Sequence, residues 1–196
     1  MTGTTIGAGM SRRQVLSTGA WGMAMFIATE AALFAMLLFS YFYLAAVNGS
    51  EWLPESAPSA TLALVNTAIL LLSSGSMWWA ELGVRRGSNV QLRAGLLITL
   101  LLGLIFLSIQ GVEYGHAGFT PSSHAYGSMF FTVTGLHGVH VAVGLLMNLF
   151  VQARAWRGDF TAASHQHVTG AAWYWHFVDA VWLAVFTTLY LSPRLL

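Results

Sequence analysis

The chain has 196 residues, 56% of them apolar and only 8% charged, with a formal net charge of +1 and a mean hydropathy of +0.66. Soluble globular domains carry about 25% charged residues, so this chain cannot clothe a water-facing surface and reads as an all-α, polytopic membrane protein. It has no cysteine, which excludes copper-thiolate and iron–sulfur centres. Its near-neutral balance gives no basic surface for nucleic acid.

Residues 1–18 are polar and rich in glycine, serine and threonine, and they predict a mobile tail ahead of one membrane domain at 19–196. Ser11-Arg12-Arg13-Gln14-Val15-Leu16 resembles a twin-arginine export signal. A short apolar region and a cleavage site should follow such a signal. A long apolar span follows instead, so the pair reads as a topogenic charge on the cytoplasmic side. Spans are expected at about 19–44, 60–82, 92–112, 126–151 and 171–191, each near the twenty residues that a hydrocarbon core demands.

Arginine placement orients this five-helix bundle. Arg12, Arg13, Arg85, Arg86, Arg93, Arg154 and Arg157 fall on one side and Arg194 on the other. The positive-inside rule then puts the N-terminus in the cytoplasm and the C-terminus outside, in the periplasm. Trp21, Trp52, Trp78, Trp79, Trp156 and Trp173 lie near predicted span ends, where an aromatic belt is expected. Gly127, Gly135, Gly138 and Gly144, together with the Ser73-Ser74-Gly75-Ser76 run, would let helix backbones approach closely.

Polar groups inside the spans carry the functional question. Glu30 lies about ten residues, or roughly 15 Å, into the first span. His137 and His140 share a side of the fourth span, and His176 and Asp179 share one of the fifth. Ionisable groups at such depth must find partners, so Glu30 and Asp179 are expected against the histidines. Three readings are open: metal or haem ligation, a proton relay, and a structural network that holds the helices in register. Ligation is short of donors, since the fifth span answers His124, His137 and His140 with His176 alone. The structural network is the reading adopted. Glu81 can pair locally with Arg85 at spacing four. Glu113 falls at the outer end of the third span, where water or headgroups would be near. His165 and His167 read as solvated loop residues. No phosphate loop, nucleophile elbow or zinc-protease motif occurs.

Ala172-Trp173-Tyr174-Trp175-His176-Phe177-Val178-Asp179-Ala180-Val181-Trp182-Leu183 closely resembles the last-helix signature of subunit III of haem-copper terminal oxidases. Tyr126-Gly127-Ser128-Met129-Phe130-Phe131 with Thr134-Gly135-Leu136-His137-Gly138-Val139-His140-Val141 is similar to that family's penultimate helix. Phe26-Ile27-Ala28-Thr29-Glu30, Leu64-Val65-Asn66-Thr67-Ala68-Ile69-Leu70-Leu71 and Gln110-Gly111-Val112-Glu113-Tyr114 fit in the same order. The resemblance implies a short five-helix form without two N-terminal helices, so that a lipid cleft of longer members would keep one wall. Thr169 stands where many members place a glutamate.

The resemblance further implies a non-catalytic subunit of a proton-pumping cytochrome c oxidase in a prokaryotic inner (plasma) membrane, serving aerobic electron transport. The chain would hold no haem, copper or other metal itself, with haem and copper in partner subunits and phospholipid as a possible ligand. It would pack directly on catalytic subunit I, near the cytoplasmic entry of a proton-uptake pathway, with subunit II, other oxidase subunits and membrane lipids as further partners, and support assembly and proton uptake. Glu30 corresponds to the family's buried carboxylate, and His137, His140, His176 and Asp179 to its other intramembrane polar positions. A quinol oxidase subunit or an accessory subunit of nitric oxide reductase is the alternative within the family. A free-standing transporter or channel is the alternative outside it, although no repeat or broken helix of the transporter kind is visible.

Overall fold

A computed structural model describes residues 18–49, 52, 53 and 60–195, apart from the side chains of 194 and 195. The predicted tail with Arg12 and Arg13, and Glu51, Glu55 and the Arg194 side chain, lie outside the described residues. Five long helices form a single bundle: α1 (Thr18–Asn48), α2 (Ala60–Arg85), α3 (Asn89–His116), α4 (Ala125–Arg157) and α5 (Gln166–Phe186). A π-helical turn, Thr187–Leu191, continues α5 into the short α6 (Ser192–Leu195).

The first four helices contain their predicted spans and overrun them, because a helix stops at a cap rather than where hydropathy falls. Gly87 takes φ 75°, and Gly158 takes φ 79° while its N–H reaches back to Ala155 O. At the N-termini, Ser88 Oγ accepts from Gln91 N at 3.4 Å and His124 Nδ1 accepts from Gly127 N at 2.9 Å. The last helix departs most from expectation. It begins at Gln166, and its α-helical hydrogen bonding gives way at Thr187 to the π register.

By length and composition, α1 to α4 can each cross a membrane. Helix α5 falls short of that measure because its polar first turn, His176 and Asp179 dilute its 21 residues. Packing accounts for the difference. Helix α5 lies along α1, α2 and α4 and buries Trp175, Val178, Asp179, Trp182 and Val185. Helix α1 is the opposite case, burying only Phe34 and Tyr41. Large apolar side chains such as Met25, Phe39, Leu72, Leu101 and Leu146 project outward, as suits a bundle whose lateral surface meets hydrocarbon. Trp21, Trp78, Trp79 and Trp156 are exposed as a belt requires. Trp52 is not, since it is buried on Tyr41 and Tyr126 at centroid distances of 5.3 and 5.8 Å.

Close approach also occurs at glycines that were not singled out from sequence. A Cβ at Gly95 would meet the Ala80 Cβ at 2.7 Å and Ser76 O at 2.8 Å, and one at Gly83 would meet Gln91 Cβ at 2.8 Å. Helices α2 and α3 are thus clasped, with Ser76 Oγ and Thr99 Oγ1 bonded across the seam at 2.7 Å. Gly144 and Gly127 are crowded as expected, whereas Gly75 is open and Gly135 and Gly138 have only ordinary contacts. Gly95→Ala is therefore expected to cost about 1 kcal/mol or more through overpacking against backbone that cannot yield, whereas Gly75→Ala should be neutral. Thermal melting of the two purified variants compares them, and equal midpoints would contradict the clasp.

Candidate functional site

The structure brings the five predicted polar residues together in part: Glu30 with His140, His176 and Asp179 around Ser74, and His137 among core aromatic rings.

Glu30 and His140 meet as expected, with Glu30 Oε2 and His140 Nε2 2.9 Å apart across α1 and α4. The other ring nitrogen, Nδ1, lies 2.7 Å from Leu136 O. A carbonyl only accepts, so Nδ1 carries a hydrogen and donates it. The contact between Nε2 and the carboxyl must then share one further proton, whether it resides on the ring or on the acid. Phe34 packs edge-on against this ring at 4.9 Å, and Tyr174 donates to the His140 carbonyl at 3.2 Å. The pair sits at the lateral face, with side chains 21% and 12% exposed for Glu30 and His140.

His137 turns into the core instead. Residues three apart on a helix differ by about 60° in direction, enough here to send one ring to α1 and the other inward. Its ring lies 4.9 Å from Trp182, 5.7 Å from Phe106 and 6.4 Å from Phe34 by centroids. Neither ring nitrogen has a hydrogen-bond partner among the described residues. On α5, His176 Nδ1 bonds Ser74 Oγ of α2 at 2.7 Å, and Asp179 is buried beside the same Ser74 side chain. Among the described residues Asp179 forms no ion pair with a histidine, and it approaches His176 only through the hydroxyl of Ser74.

Glu81 holds Arg85 at 2.7 Å, as its spacing predicts. It also accepts from Thr169 Oγ1 at 3.2 Å. At the position where relatives were expected to carry glutamate on the last helix, this chain thus has a hydroxyl facing a carboxylate that comes from α2.

Glu113 is the largest surprise. The expected contact with water or headgroups is absent, because the residue is only 4% exposed. Gln110 Nε2 donates to Glu113 Oε2 at 3.0 Å and Tyr190 OH donates to the same oxygen at 2.9 Å. Neighbouring Tyr126 donates to Leu189 O at 3.0 Å. The only sequence signal for this cluster is the three-residue spacing of Gln110 and Glu113. Tyr190 lies 77 residues further on and reaches the site from the π-helical turn.

His167 Nδ1 lies 3.3 Å from Arg154 Nη1, and Arg154 Nε donates to Asp159 Oδ2 at 3.1 Å, near the start of α5. Among the described residues, no three histidine, aspartate or glutamate side chains converge as a metal-ligand group. A cleft of about 940 Å³ opens between α1, α4 and the start of α5. Met23, Leu146 and Phe150 form its apolar wall, with His165, Gln166 and His167 at its polar end.

Known proteins resemble this one over most of its length. Residues 3–193 match the family model described as cytochrome c oxidase subunit III. Cytochrome c oxidase subunit 3 of Artemia franciscana is 38% identical over 174 residues, covering 87% of this chain and 67% of the relative. The corresponding protein of Rattus norvegicus is 36% identical over 177 residues, with 87% and 68% covered. A bacterial relative, the probable cytochrome c oxidase subunit 3 of Rickettsia conorii, is 36% identical over 186 residues, with 87% and 66% covered. The chain spans about two thirds of the length of these relatives. A helical membrane bundle whose buried-polar helices match that family along nearly the whole chain belongs to the cytochrome c oxidase subunit III family.

Proposed function

We propose that the chain is a non-catalytic subunit of a proton-pumping cytochrome c oxidase, embedded in a prokaryotic inner membrane with its N-terminus in the cytoplasm. Haem and copper reside in its partners. The chain packs on the catalytic subunit I, with subunit II in the same assembly, and supports assembly and proton uptake.

The observation that carries this reading is the Glu30–His140 pair. It lies well inside the span of α1 yet is part-exposed on the lateral face. An ionisable pair is costly to leave against lipid tails, so this face calls for cover. Helix α1, which buries so little within the bundle, offers apolar surface on either side of the pair. The cleft beside α4 and α5, with an apolar wall and a polar end, suits a phospholipid.

Affinity purification of the tagged chain in mild detergent tests the proposal. The expected result is stoichiometric haem absorbance, a catalytic subunit, and a subunit II bearing a cysteine-liganded copper site. Recovery without haem-containing partners would overturn it and favour a free-standing transporter. A subunit II without the copper site would move the assignment to a quinol oxidase.

A further inference from the structure

We propose that Glu113 is a resident proton site of the bundle, its carboxyl carried as a neutral acid in a hydrogen-bonded unit with Gln110 and Tyr190. The assignment follows from counting donors against acceptors. Glu113 Oε2 already accepts from both Gln110 Nε2 and Tyr190 OH. Two further oxygens, Glu113 Oε1 and Gln110 Oε1, are buried without a hydrogen-bond partner among the described residues. An ionised carboxylate only accepts, so it would add a buried negative charge and still leave both oxygens wanting a donor. One proton on Oε1 removes the charge and converts a surplus acceptor into the missing donor. A carboxylic acid and the facing edge of a carboxamide are a matched pair, each giving one hydrogen bond and accepting one.

Among the described residues no cation pairs with Glu113. The ion pairs among the described residues are Arg85–Glu81, His140–Glu30 and Arg154–Asp159, none of which involves Glu113. On α3, Tyr114 is bonded to Thr134 at 2.8 Å, and His116 bonds Val112 O at 2.9 Å from an exposed position. On α4, Tyr126 gives its hydrogen to Leu189 O. Arg194 follows four residues after Tyr190, and its side chain lies outside the described residues. The π-helical turn carries both Tyr190 and the Leu189 carbonyl, so this irregular stretch of the last helix closes the site. The proposal does not rest on the oxidase role and concerns a carboxyl separate from the Glu30–His140 pair.

Infrared difference spectroscopy tests it, comparing the wild-type protein in its native assembly with E113Q, in H2O and in D2O. The expected result is loss of one protonated-carboxyl carbonyl band, sensitive to deuteration, with the carboxylate bands unchanged. Loss of a carboxylate band would overturn the proposal, and would be the outcome if Arg194 or a bound water compensated an ionised Glu113. Thermal melting gives a second reading. Glutamine can present one N–H and its carbonyl where the neutral acid presents its O–H and carbonyl, with one N–H left over, so E113Q should melt slightly below wild type and E113A clearly below both. E113Q melting as low as E113A would also overturn it. Should E113Q fail to accumulate, E30Q protein labelled with carboxyl-13C glutamate answers instead. A labelled protonated-acid band is then expected, and labelled carboxylate bands alone would refute the assignment.

Discussion

Trp175→Ala should destabilise the bundle by about 3–5 kcal/mol, the range for removing a large aromatic from a packed interior, and should be the most damaging single truncation in the chain. Trp175 is fully buried on α5 yet touches three other helices. Its indole edge lies where Gly103 of α3 and Gly144 of α4 have no side chain, with hypothetical Cβ atoms only 2.8 and 2.9 Å from the ring. Its Nε1 donates to Ser73 Oγ of α2 at 3.0 Å. Truncation therefore empties a slot bounded by two glycines that cannot fill it, and removes the donor to a buried Ser73 hydroxyl that keeps only its own bond to Leu70 O. Lipid tails offer no hydrophobic drive to close the gap, because helix association in a bilayer depends on packing and hydrogen bonds. Thermal melting in detergent should show the loss. Trp175→Phe, which keeps an aromatic ring but not the hydrogen bond, should fall between. A Trp175→Ala protein melting with wild type would refute this account of how the helices are locked.

Glu30→Leu and Glu30→Gln should separate sharply. Since His140 Nδ1 donates to Leu136 O, its Nε2 faces the carboxyl as the group needing a partner. Glutamine can donate an amide hydrogen to a neutral Nε2 and keep the contact between α1 and α4. Leucine cannot, and leaves a polar ring nitrogen unpaired, at about 1–3 kcal/mol. The expected symptom of Glu30→Leu is substoichiometric recovery of this chain in the purified complex, with Glu30→Gln near full occupancy. The haem spectrum of any assembled complex should be unchanged by either, since no ligand is lost. Full retention of Glu30→Leu would mean that the Glu30–His140 contact does not hold α1 in place. A shifted haem spectrum would count against the structural role itself.

Much of the architecture was legible in the chain because hydropathy and punctuation are local. Apolar runs of span length and turns at Gly87-Ser88 and Gly158-Asp159 are one-dimensional signals, and they locate the helices to within a few residues. The Glu81–Arg85 pair was equally readable, since a spacing of four on one helix determines proximity. The resemblance in the last two long helices likewise survives in sequence order.

Partnership between helices was not readable in that way. Spacing puts His137 and His140 on one side of α4, but the division between core and lateral face runs between them. On α5, His176 and Asp179 share Ser74 of α2 instead of pairing with the histidines of α4. Glycine content announced tight packing without saying where, and Gly95, Gly103 and Gly83 matter because of the side chains and backbone opposite them. Distance along α3 puts Glu113 near the outer end of the helix, where the π-helical turn covers it with Tyr190. The sequence by itself determined a membrane-spanning helical bundle, the approximate extent of its helices and its family, because these depend on composition and order along the chain. Tertiary structure alone decided which acids and imidazoles meet, because rotation about each helix axis and a change of helical register near the C-terminus select the partners.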